Sequence, residues 1–131
     1  MKVLLDTTAV IDATATNSKY ALERLHYFSV WEEHECYVTP ITTSEVLHYI
    51  DRRSVGAKRQ GEMETILAGC RSIPITDEIA RHLNSISDRI EGLEQPGDMH
   101  DRWQVACADF HGLALATRDE GIRSQTFLTI I

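Results

Sequence analysis

Four carboxylates stand where short apolar runs give way to polar sequence. Asp6 follows Val3-Leu4-Leu5. Glu45 comes seven residues after Val38, which closes the run Cys36-Tyr37-Val38. Asp119 lies just past Leu113-Ala114-Leu115-Ala116, and Asp101 opens the alanine-rich segment leading into that run. If the apolar runs are parallel strands, the four acids meet at one edge of a sheet, beyond the strand carboxyl ends, where open α/β sheets bind ligands. Four negative charges in one cleft repel strongly at low effective dielectric. A divalent cation would relieve them. Oxygen-only ligation favours Mg²⁺ or Mn²⁺ over zinc, with positions left open for water and phosphate.

Each acid also has a plain structural reading. Asp6 and Asp119 could cap short helices. Glu45 could be an acid favoured near a helix N-terminus by the macrodipole. Asp98-x-x-Asp101 has a capping arrangement, and Asp98 competes with Asp101 for the third position. Glu120, beside Asp119, could assist through a water. The remaining acids, Asp12, Asp51, Asp77, Glu78, Asp88 and Asp109, are expected at the surface or at caps. His34-x-Cys36 has no second pair at ligand spacing, which argues against zinc. Cys107 reads as core, and Tyr27, Phe28 and Trp31 as aromatics buried against the sheet. Basic residues are grouped despite a net charge of −7. Arg52-Arg53 and Lys58-Arg59 follow Glu45, and Arg52, seven residues on, shares its helical face. They form either a solvated face or a rail for phosphates. Arg102 and Arg118, each next to an acid, could hold a phosphate.

The elements that must position these residues alternate. Strands are expected at 2–5, 36–38, 72–75, 113–116 and 126–130. Helices are expected at 9–13, from 18 to about 33, from Thr43 or Ser44 through Ile50, at 61–68, after a Thr76 cap through Ile90, and at 99–111 with Gly112 as its stop. Strands alternating with helices imply βαβ units, hence an α/β domain whose parallel sheet of four to five strands carries helices on both faces. The 131 residues suffice for one such domain, 1–131, with 43% hydrophobic and 25% charged residues, so a disordered chain is not expected. The early apolar run, stopped by Asp6, is too short for a signal or membrane span. Three cysteines, Cys36, Cys70 and Cys107, argue against a disulfide framework and for a reducing cytoplasm.

Together these residues resemble the PIN-domain ribonucleases, in particular toxins of the VapBC toxin–antitoxin type. The resemblance runs through Leu4-Leu5-Asp6-Thr7-Thr8, through Thr43-Ser44-Glu45-Val46-Leu47, and from His100-Asp101 through Cys107-Ala108 and Gly112-Leu113 to Thr117-Arg118-Asp119. Gln104 departs from it, standing where the family more often has an aliphatic residue. The resemblance implies that Asp6, Glu45, Asp101 and Asp119 bind Mg²⁺ or Mn²⁺, with Thr117 as an accessory hydroxyl. The separation of 18 residues from Asp101 to Asp119 fits it better than the 21 from Asp98. It further implies cleavage of RNA phosphodiester bonds, a cognate antitoxin protein and a homodimer. A binding module without turnover is the first alternative. An α/β phosphotransfer protein is the second, disfavoured because position 8 is Thr8 rather than an acid and no Gly-rich Lys-Ser/Thr loop is present.

Overall fold

Alternation along the first strand sets the layering. In the computed structural model, which describes residues 1–131, β1 (Lys2–Leu5) turns Val3 and Leu5 into one apolar cluster and Leu4 into another. All three are buried, as expected for a central strand covered on both faces. The remaining strands are β2 (Glu35–Val38), β3 (Arg71–Ser72) and β4 (Ala114–Ala116). All pair in parallel, in the order β3-β2-β1-β4. The chain therefore winds outward from β1 to β3 and returns on the other side of β1 with β4. The point where winding reverses lies between β1 and β4.

One face is covered by α1 (Thr7–Ala13), α2 (Ala21–Glu33), α3 (Pro40–Arg52) and α4 (Ala57–Ala68), through residues such as Val10, Val30, Val46 and Ile66. The other is covered by α5 (Asp77–Ile86), α6 (Met99–His111) and the short α7 (Glu120–Arg123), through Ile79, Leu83, Val105, Cys107 and Ile122. Thr76 caps α5, its hydroxyl accepting from the Ile79 N–H at 3.3 Å. Gly112 ends α6 at φ 65°, a left-handed conformation that glycine adopts without the Cβ penalty. No helix is long and apolar enough to cross a membrane.

Several boundaries differ from expectation. The third helix begins at Pro40, not at Thr43 or Ser44. Proline suits a first helical position, where no N–H is needed, and Thr39 supplies the cap. The expected strand 72–75 is only two residues long. Ile73 still donates to the Val38 carbonyl at 2.8 Å, but β2 ends there: Pro40, the next residue that would face β3, has no N–H and opens α3. The fourth helix extends back to Ala57. Residues 126–130 form no strand; β4 is so short that only a single bridge, Leu115 to Ile130, remains. The sheet thus has four strands, and α7 is an element that the apolar spacing does not predict.

Leu22 and Leu25, which share the apolar spacing of α2, are 80% and 67% exposed, and Phe28 is exposed too. Tyr27, Val30 and Trp31 occupy the opposite half of that helix and take the core contacts. Asp12 is not a surface acid: it is 2% exposed and paired with Arg118. Asp109 is half-buried, with His82 Nε2 at 2.6 Å and Arg89 at 3.5 Å.

Candidate active site

The carboxyl ends of β1 and β4 lie side by side, so the residues that leave one strand meet those that leave the other. Asp6 leaves β1 at the N-cap position of α1, but its carboxylate does not cap the helix. It is buried and turned toward β4. The Thr117 hydroxyl donates to Asp6 Oδ2 at 2.8 Å, and Thr8 reaches the same oxygen at 3.4 Å. Asp6 Oδ1 accepts from Gln104 Nε2 at 3.3 Å. Burial raises the Asp6 pKa above the ordinary aspartate value, while the Thr117 and Gln104 hydrogen bonds oppose that rise.

Thr117 is fully buried, and its oxygen accepts from the Asp119 N–H at 3.0 Å. Asp119 caps α7, with Oδ1 accepting from the Ile122 N–H at 3.2 Å. The loop between β4 and α7 is held further by Arg118. Its backbone N–H donates to Thr8 at 3.0 Å, and its guanidinium bonds Asp12 at 2.6 and 3.2 Å.

Glu45 is the sixth residue of α3, beyond the first turn where a macrodipole would favour an acid. Thr7 donates to its Oε1 at 2.6 Å, and His100 Nδ1 lies 3.4 Å from Oε2. Asp101 sits in the first turn of α6. Burial, followed by the charges of Asp119, Asp6, Glu45 and Asp98, pushes its pKa up to about 7. Asp101 thus lies within electrostatic reach of Asp6, Glu45 and Asp119, and Asp6 within reach of Glu45. Asp98 stands at their margin. Its carboxylate accepts from the Gln95 N–H at 3.1 Å in a capping box. Glu120 is exposed on α7.

No three His, Cys, Asp or Glu side chains close to metal-coordinating distance. The donor chemistry nevertheless fits a hard divalent cation: every donor is oxygen, and the half-buried Asp101 carries unbalanced negative charge from four neighbours.

The basic residues divide into two groups. Arg52, Arg53 and Lys58 are exposed. A depression of about 580 Å³ starts at Glu45 and His100 and runs along α3 past His48 to Arg52 and Arg53. It adjoins a second, of about 410 Å³, through Ile11, Tyr49 and Arg53. Arg59, Arg102 and Arg118 are instead engaged within the protein. Arg59 bonds the Ile11 carbonyl at 3.1 Å and the Thr14 hydroxyl at 3.3 Å, and Arg102 bonds the Leu93 carbonyl at 3.3 Å.

Thr7, Thr8, Thr39, Thr42, Gln104 and His100 also belong to the centre or its support, though their spacing in the sequence assigns none of them a role there. Gln104 alone carries a local signal. It is the polar member of a buried run continued by Val105, Ala106, Cys107 and Ala108.

A parallel sheet with acids clustered at its β1–β4 reversal defines the class, and sequence comparison agrees. The PIN domain family profile matches residues 3–128, and the chain belongs to the PIN domain family. Comparison with curated proteins by sequence gives no match. Among solved structures, the chain is similar to one in VapBC2 from Rickettsia felis, bound to a DNA fragment from their promoter. The TM-score is 0.74 at 12% identity, covering 100% of this chain and 98% of that one. It is similar to FitAcB from Neisseria gonorrhoeae, with TM-score 0.67, 20% identity and coverages of 98% and 96%. It is also similar to VapC20 from Mycobacterium tuberculosis, a sarcin-ricin loop cleaving toxin, with TM-score 0.68, 12% identity and 95% of each chain covered.

Proposed function

We propose that this protein is a metal-dependent endoribonuclease and the toxin of a VapBC-type toxin–antitoxin pair. It would work in the cytoplasm as a homodimer, restrained by a cognate antitoxin. The observation that carries the reading is the convergence of Asp6, Glu45, Asp101 and Asp119 at the carboxyl edge of the sheet, with Asp101 held up to about 7 by burial and by the other acids. The likeness to toxin–antitoxin structures, and to a sarcin-ricin loop cleaving toxin among them, supports the substrate class and the partner.

The four carboxylates would hold Mg²⁺ or Mn²⁺, and a bound ion supplies positive charge against the phosphodiester and eases deprotonation of water. The chain's own residues set the stage for it. Thr117 and Gln104 fix the two oxygens of Asp6, and Thr7 fixes Glu45. Asp119 is held by the turn it caps. Arg52 and Arg53, with Lys58 nearby, contact phosphates of a strand lying along α3. Arg59, Arg102 and Arg118 shape the walls and add positive potential.

Purified protein should cut RNA when Mg²⁺ or Mn²⁺ is present and stop when EDTA is added. Asp6→Asn and Asp119→Asn should each abolish cutting while circular dichroism stays unchanged. An inactive wild type with both ions overturns the reading, as does full activity in both variants.

Binding should obey the same logic. With a net charge of −7, the protein should hold RNA weakly until an ion neutralises the cleft. On an inactive Asp119→Asn background, changing Arg52 and Arg53 to Ala should weaken all RNAs about equally, because phosphate contacts carry no sequence information. The log–log salt slope should also flatten, by about 0.7 for each single-strand phosphate that no longer meets an arginine. An unchanged slope would make these arginines an ordinary solvated face.

A further inference from the structure

Gln104 is 0% exposed on α6, at the head of a buried run of small apolar residues, and both polar atoms of its amide are hydrogen-bonded. Thr39 donates its hydroxyl hydrogen to Gln104 Oε1 at 2.8 Å. Gln104 Nε2 donates to the Thr42 oxygen at 2.7 Å and to Asp6 Oδ1 at 3.3 Å. The orientation of each group is set by its neighbour. Thr42 must accept from Gln104, because its own hydrogen goes to the Leu5 carbonyl at 3.2 Å. Thr39 accepts from the Thr42 N–H at 3.5 Å, which leaves its hydrogen for the glutamine oxygen. Reversing the amide would set its oxygen against the Asp6 carboxylate and against the Thr42 oxygen, whose hydrogen is already committed to Leu5. Both contacts would be repulsive.

Thr39 and Thr42 alone would leave one of the two amide hydrogens without a partner in a buried site. The amide's third bond extends a chain of donors from α3 through α6 to the acidic centre. Asp6 Oδ2 has Thr117 and Thr8 as side-chain partners, whereas Gln104 is the side-chain donor to Oδ1. We propose that Gln104 is a positioning residue: its amide fixes the orientation of the Asp6 carboxylate and thereby sets the centre's affinity for a divalent cation. The inference rests on the reading of the centre as a metal-dependent nuclease site.

The test is calorimetric titration of the full chain with Mn²⁺ alone, beside thermal melts of the metal-free proteins. Wild type should bind Mn²⁺, and Gln104→Leu should bind it about 10- to 100-fold more weakly, the usual cost of losing a partner that orients a ligand. Ile86→Val, a core change on α5 remote from the acids, should lower the melting temperature and leave Mn²⁺ affinity unchanged. If Gln104→Leu does not fold, Thr39→Val carries the test. It removes the hydroxyl that orients the amide and should weaken Mn²⁺ binding less severely, with Thr39→Ser restoring it. Equal affinities for wild type and the Gln104 or Thr39 variants overturn the inference and leave the nuclease reading standing. So does an equal loss in Ile86→Val, since affinity would then merely track stability. A wild-type chain that binds no Mn²⁺ removes the reading, and the inference with it.

Discussion

Replacing Asp101 by Asn should raise the melting temperature of the metal-free protein at pH 8 while reducing RNA cleavage by about a hundred- to a thousandfold. The stability gain comes from the sign of the linkage. Folding moves the Asp101 carboxyl from 3.8 to about 7, so the native state binds this proton more tightly than the unfolded chain does. Below pH 4 the group is protonated in both states and costs nothing. From there the wild type loses stability as pH rises, until the carboxyl is ionised in both states above pH 7. At full value that loss would be about 4 kcal/mol. Solvent around the half-exposed carboxyl screens it to about 1–2 kcal/mol. The asparagine amide carries no charge to strand. The variant should therefore melt about 5 °C above wild type at pH 8 in EDTA, and the difference should vanish near pH 4. Asp6, also raised by burial, contributes in the same direction and keeps some pH dependence in the variant. A variant that melts lower than wild type at pH 8 would mean that Asp101 supports the fold rather than straining it.

The opposite result is expected at Arg118. Its guanidinium faces Asp12, which is buried on α1, whereas the arginine side chain itself is 48% exposed. Arg118→Ala leaves the Asp12 carboxylate with no cation beside it. A fully buried pair would lose about 3–5 kcal/mol, and water entering where the half-exposed arginine stood cuts this to about 2–3 kcal/mol. For a domain of this size the melting temperature should fall by about 6–12 °C. Asp12→Ala should cost much less, because the freed guanidinium can turn to water. The double variant should be no worse than Arg118→Ala alone, since removing the buried acid removes the penalty. Equal losses in the two single variants would show that packing, not the buried charge, dominates this contact. The pair also anchors the loop that presents Asp119, so melts need to be compared before any loss of cleavage is assigned.

Asp119 and Asp12 mark the two sides of what is legible from sequence. Asp6 and Asp119 can be placed because each comes directly after an apolar run, and parallel strands bring such positions together whatever the helices do. Asp101 is preferred over Asp98 only through the resemblance, whose pattern its separation of 18 residues from Asp119 fits better. The burial of Asp12 is not, because its partner lies 106 residues away and nothing local distinguishes it from other helical acids. The threonines that orient the centre escape for a related reason. Thr7, Thr39 and Thr42 stand at or near helix starts, where the residue type already has a capping role. Gln104 stands out as a departure from the aliphatic residue expected there, but only the fold reveals that Asp6 lies at the end of its amide. The strand expected at 126–130 fails on geometry: its composition suits a strand, yet three-residue β4 leaves it almost nothing to pair with.

That thin pairing bears on how the edges of the sheet are guarded. β4 borders the sheet, and the backbone groups of Leu115 that face away from β1 are occupied: its N–H bonds the Thr129 carbonyl at 2.8 Å, and its carbonyl accepts from the Ile131 N–H at 3.1 Å. On the far border β3 is two residues long, with Arg71 and Ser72 both exposed. An uncovered strand of useful length is a template for aggregation, and short or occupied borders guard against it. Neither border offers an incoming chain a ladder to extend, so backbone strand pairing gives copies of the protein no route to aggregate through the sheet.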